Sequence, residues 1–172
     1  PTRRSDASPS SVSVYSLNVP VPPAVGRLAS GLASETLTAD CRTRHSLVAK
    51  RLGEEWRVSK QVREALSGTA PFRVKVEGVD AFRQPTAGKG PVAYLDVESQ
   101  GLWDLHYRLC EVVDPIPELE GDDYTPHVTI ARGGDAHQLV GRDAGPIEWT
   151  VERLEFYDSH NRVTVESVSL PA

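Results

Sequence analysis

Apolar and polar positions alternate along most of the chain, and a few stretches of helical spacing interrupt that alternation. The segments 12–19, 45–52, 72–79, 92–97, 127–131, 147–156 and 163–170 predict strands. The pattern is cleanest where Phe72, Val74 and Val76 alternate with Arg73, Lys75 and Glu77. Helical spacing joins Val25, Leu28 and Leu32 within 24–33, although Gly26 and Gly31 count against a helix there. A second helix is expected over 59–66, with Ser59 as N-cap and Gly68 near its end, and a third carries Leu102, Leu105, Leu109 and Val112 on one face. Turn-forming residues fill 83–91, 113–124, Gly133-Gly134 and 158–161. So few helices cannot cover both faces of a parallel sheet, so the expected class is α+β with mostly antiparallel strands.

With 172 residues, the chain is long enough for one domain with a sizeable core. Residues 1–10 are polar and read as a flexible leader without the apolar stretch of a signal peptide, which leaves 11–172 as a single domain. At 39% hydrophobic and 25% charged, the composition excludes a disordered chain, and no apolar run is long enough to span a membrane. Cys41 and Cys110 are too few and too far apart for a disulfide framework or a Cys-based zinc site, so a reducing cytoplasm is the expected compartment.

Charge alters this picture locally. The net charge of −5 argues against indiscriminate nucleic-acid coating, yet Arg42, Arg44, Lys50, Arg51, Arg57, Lys60 and Arg63 cluster against only Glu54 and Glu55. The stretch 111–123 is acidic and holds no base. A local positive field of this kind suits a phosphate.

The candidate chemistry sits in an internal repeat. Thr43-Arg-His-Ser-Leu-Val-Ala-Lys50 aligns with Thr125-Pro-His-Val-Thr-Ile-Ala-Arg132, matching Thr, His and Ala and pairing Lys50 with Arg132. The copies lie about half a chain apart, which suggests two related lobes. In a strand, residues i and i+2 share a face, so Thr125, His127 and Thr129 project together. Two imidazoles across a cleft suit metal-free phosphodiester chemistry, one removing a proton and the other donating one. His106, on the third helix, reads as structural, and His137 and His160 as exposed loop residues.

His127-Val-Thr-Ile130 resembles the His-x-Thr/Ser-x signature of the two-histidine (2H) phosphoesterases, which include 2′-5′ RNA ligase-like proteins and 2′,3′-cyclic phosphodiesterases. Tyr15-Ser-Leu-Asn-Val-Pro20, His45-Ser-Leu-Val with Arg51-Leu-Gly-Glu54, and 149–157 are similar to further strands of that family. The resemblance implies a bilobal fold: two pseudo-symmetric antiparallel sheets with flanking helices around a central cleft. It implies His45 and His127 as the catalytic pair and Thr129 as a phosphate-binding hydroxyl. Leu47 departs from the pattern, since it stands where a hydroxyl is expected. Either a bulge turns Ser46 into the cleft, or Thr43 substitutes, or that hydroxyl is missing; the extra residue between His45 and Gly53 favours Ser46.

Lys50 and Arg132 are further phosphate-binding candidates, although their odd offsets from the histidines turn them away in a regular strand, and Tyr15 and Tyr157 are candidates for stacking a base. The expected activity is hydrolysis of 2′,3′-cyclic phosphate ends of RNA or of small cyclic nucleotides, with reversible 2′-5′ ligation. No cofactor, metal or membrane is expected, and the protein is expected to be a monomer. The alternative is a module of the same fold that binds nucleotides or RNA ends without turnover. A metal hydrolase drawing on Glu118, Glu120, Asp122 and Asp123 is a third reading.

Overall fold

The computed structural model describes residues 12–172, so the expected leader lies outside the described residues. The elements follow in chain order as β1 (Tyr15–Val19), α1 (Pro23–Ala33), β2 (Asp40–Cys41), β3 (Leu47–Gly53), α2 (Val58–Leu66), β4 (Phe72–Phe82), β5 (Val92–Glu98), α3 (Gln100–Cys110), β6 (His127–Arg132), β7 (Ile147–Val151), β8 (Arg153–Asp158) and β9 (Val163–Ser169). Short 3-10 turns occupy Gly121–Asp123 and Ala136–Leu139.

The strands form one antiparallel sheet in the order β7-β4-β5-β6-β3-β1-β8-β9, with β2 added against β6. The expected α+β class with antiparallel pairing is therefore present, but the expected two sheets are one. The halves are continuous because Leu47 of β3 pairs with Val128 of β6. That junction is thin, since it is a single pair, whereas β5 and β6 remain paired from Val92–Arg132 to Asp96–His127.

The predicted strand 147–156 is also two strands. β7 pairs with β4 at one edge and β8 pairs with β1 near the other, yet only Glu152 separates them in sequence. One residue spans only about 3.5 Å. The sheet must therefore curl into a half-barrel that brings its two ends together.

Alternation along the strands sends Leu17, Val19, Leu47, Ala49, Val128 and Ile130 into the core. α3 packs over β3 and β4, α1 packs against β6, and α2 leans on α3. The three helices match the predicted segments, but their caps differ. Ser59 is inside α2, which starts without a side-chain cap, while the Ser99 hydroxyl accepts the Leu102 N–H at the start of α3.

Candidate active-site cleft

A cavity of about 540 Å³ opens on the sheet above the β3–β6 junction. That is large enough for a mononucleotide-sized ligand. His127 and Thr129 of β6, Ser46 and Val48 flanking Leu47, Ser16 and Asn18 of β1, and Tyr15 and Tyr157 all line it. Four arginines, Arg42, Arg44, Arg51 and Arg162, complete the wall with Thr43. A net-acidic protein thus concentrates positive charge at one hollow.

Irregular pairing brings these side chains together. Asp40 and Cys41 pair with Arg132 and Ala131, and Leu47 then pairs with Val128. The chain uses more residues between Cys41 and Leu47 than β6 uses between Ala131 and Val128. The excess loops out, carrying Arg42, Thr43 and Arg44 to the cavity.

A second irregularity lies within β3. Leu17 pairs with Lys50 but Asn18 with Val48, so Ala49 is a bulge residue. A bulge reverses the alternation beyond it. Arg51, Val48 and Ser46 consequently face the cavity.

The same reversal moves His45 off the cavity wall. Its Nδ1–H donates to the Thr129 carbonyl at 3.4 Å, and its Nε2 lies 3.2 Å from the Ser30 hydroxyl of α1. Both ring nitrogens are thus engaged within the protein. His127 is arranged differently. Its Nδ1–H donates to the Thr125 carbonyl at 2.6 Å, while Nε2 has no protein partner among the described residues and is open to solvent. The His127 ring stands edge-on to Phe82 and Tyr94, at centroid distances of 5.1 and 5.3 Å. Burial lowers its pKa below the ordinary 6.5; the Thr125 hydrogen bond opposes this, and the charges of Arg51 and Arg42 add to it.

Lys50 and Arg132 do not line the cavity. Lys50 is fully buried and donates to Glu120 Oε1 at 2.6 Å and to the Arg51 carbonyl at 3.0 Å. Arg132 donates to the Ala87 carbonyl at 2.8 Å, in the turn-rich loop before β5. Tyr15 packs on Trp56, and the Arg44 guanidinium lies 4.3 Å over the Tyr157 ring. A base seated on Tyr157 would have to displace Arg44.

No motif in the sequence marks the arginines of the wall individually. Arg42, Arg44 and Arg51 belong to the basic cluster already noted, but Arg162 arrives from the β8–β9 turn and carried no signal. That turn is braced by Asp158, whose carboxylate accepts the N–H groups of His160, Asn161 and Val14. Elsewhere His106 is fully buried with both ring nitrogens bonded, and His137 and His160 are exposed, as expected. Among the described residues, no group of three or more His, Cys, Asp or Glu is placed to hold a metal ion. Nor is any helix among them long and apolar enough to cross a membrane.

Residues 37–162 match the 2′-5′ RNA ligase superfamily. No curated protein matches the chain. Among solved structures, TT0787 of Thermus thermophilus is 22% identical with a TM-score of 0.65, covering 91% of this chain and 97% of that one. E. coli LigT complexed with ATP is 14% identical with a TM-score of 0.71, covering 94% of this chain and 99% of that one. LigT complexed with 3′-AMP is also 14% identical, at a TM-score of 0.69 and the same coverage. At these identities the structural likeness concerns the fold.

Proposed function

Because the chain belongs to the 2′-5′ RNA ligase superfamily, we propose that its cleft is a metal-independent phosphoesterase site for 2′,3′-cyclic phosphate ends of RNA or for small cyclic nucleotides. The observation that carries this reading is the His127 Nε2, without a partner among the described residues, beside Thr129 in an arginine-lined hollow. The singly charged cyclic phosphodiester, and the second negative charge that develops on attack at phosphorus, suit that wall. Arg51, Arg42 and Arg44 neutralise this charge, and the Thr129 and Ser46 hydroxyls donate to the non-bridging oxygens. The relative E. coli LigT was crystallised with 3′-AMP and with ATP, ligands of compatible chemistry.

In this reading neutral His127 removes a proton from water as the water oxygen attacks phosphorus. The bond from phosphorus to one ribose oxygen breaks, and that oxygen takes up a proton. The same course with a 5′-hydroxyl in place of water, the P–O3′ bond breaking and O3′ taking up a proton, forms a 2′-5′ linkage. The cleft is built from one chain, so a monomer suffices, and the unpaired thiols Cys41 and Cys110 suit a reducing cytoplasm.

The test is incubation with a 2′,3′-cyclic mononucleotide, with and without EDTA, followed by product analysis. Turnover that ignores EDTA and falls roughly a hundredfold or more in His127→Ala is expected. Normal turnover in that variant would reject the site. A second reading, binding of nucleotides or RNA ends without turnover, is favoured by one observation: His45 is bonded at both nitrogens outside the cavity wall. Tight binding of 3′-AMP without any product would select it.

A further inference from the structure

The β3–β6 junction carries a local two-fold symmetry. Leu47 faces Val128 in an antiparallel pair, so a rotation about an axis through that pair maps Leu47 onto Val128. The same rotation carries Ser46 onto His127 and Val48 onto Thr129. All four side chains line the cavity, so the correspondence holds for the face as well as the position. The sequence repeat matches His45 with His127 instead, one position out of step with the folded chain.

Resting on the phosphoesterase reading above, we infer that this cleft works with a single imidazole, His127, and that Ser46 stands in the place a second one would need. Val48 is the apolar counterpart of Thr129, so the first half of the site lacks both an acid/base group and that hydroxyl. His45 is a positioning residue. Its ring bonds the Thr129 carbonyl where the ladder between β3 and β6 has run out, and it links that strand to Ser30 of α1. Protonation of the departing ribose oxygen then falls to solvent water.

Two consequences separate this arrangement from a two-histidine site. Turnover follows one ionisation, so the pH–rate profile has an acid limb and then a plateau through the neutral range. Placing an imidazole at position 46 completes the pair.

The experiment compares wild type, His45→Gln, His127→Ala and the double variant Ser46→His/Val48→Thr on a 2′,3′-cyclic mononucleotide. Binding of 3′-AMP is measured by calorimetry for each, and folding by circular dichroism. His45→Gln keeps an amide able to donate to the Thr129 carbonyl, so it is expected to fold and to hold kcat within roughly threefold. The double variant is expected to raise kcat at least about tenfold, toward the worth of a positioned general acid, and to turn the plateau into a bell. Should His45→Gln lose as much kcat as His127→Ala while 3′-AMP still binds, the inference fails and the paired mechanism stands. A folded, 3′-AMP-binding double variant with neither gain nor second limb overturns it equally. Wild-type protein without affinity for 3′-AMP would instead remove the phosphoesterase reading, and this inference with it.

Discussion

The hydrogen bond from His127 Nδ1 to the Thr125 carbonyl assigns the ring proton to that nitrogen, so the neutral ring presents a lone pair on Nε2 to the cleft. Burial and the neighbouring Arg51 and Arg42 charges oppose protonation, which keeps the base form populated in mild acid. The acid limb of kcat/KM is therefore expected below the ordinary histidine value of 6.5. Arg51→Ala removes a repelling charge, so its limb should move upward, together with weaker 3′-AMP binding. Steady-state rates across the acid range check both, and a limb displaced downward in that variant would contradict the assignment. His45 shows the other extreme, since an imidazole with both nitrogens bonded to the protein has no site left for a substrate proton.

At the scale of elements, the bulge in β3 decides which side chains reach the cleft, and a buried network holds it in shape. The His106 Nδ1–H donates to the Ala49 carbonyl at 2.8 Å, the Tyr124 hydroxyl to the Val48 carbonyl at 2.6 Å, and the Arg51 N–H to Glu120 Oε2 at 2.9 Å. His106 and Tyr124 stack at 3.8 Å, and Lys50 closes the arrangement through Glu120. Backbone groups that lost their ladder partners at the bulge thus find side chains from α3 and the acidic loop. Glu120→Gln leaves the Lys50 charge without its counterion and should cost about 3–5 kcal/mol. The double variant Lys50→Met/Glu120→Leu should recover only part of that loss, because it removes the unpaired charge but leaves the Arg51 and Ile116 N–H groups without their acceptor. Urea denaturation measures both, and a near-neutral Glu120→Gln would show that the pair does not hold the bulge.

For the whole molecule, curling of the sheet brings β1, β3, β6, the 42–46 loop and the β8–β9 turn around one hollow. Two of its partly or fully buried histidines, His106 and His127, have pKa values lowered chiefly by burial. The unfolded chain therefore binds protons more readily than the native state between the lowered and ordinary values. Stability is expected to be intact above the ordinary value of 6.5 and to decline as the pH falls from there toward the lowered values. Melting temperatures measured from about pH 7 down to about pH 5 should fall, and a flat profile would mean that neither group is held neutral.

Periodicity determined most of the elements, because alternation and helical spacing express which face each segment buries, and β6 with His127 and Thr129 was legible as a regular strand. The chain also signalled a bulge through one surplus residue before Gly53, and with it Ser46. Which pairs of residues lie opposite each other was decided only in three dimensions. The register at Leu47–Val128 and the bulge at Ala49 depend on partners tens of residues away, such as Glu120 for Lys50. A shift of one position exchanges the two faces of a strand, and local sequence cannot express that choice. For that reason the repeat suggested two imidazoles, while the folded chain points one of them at the cleft.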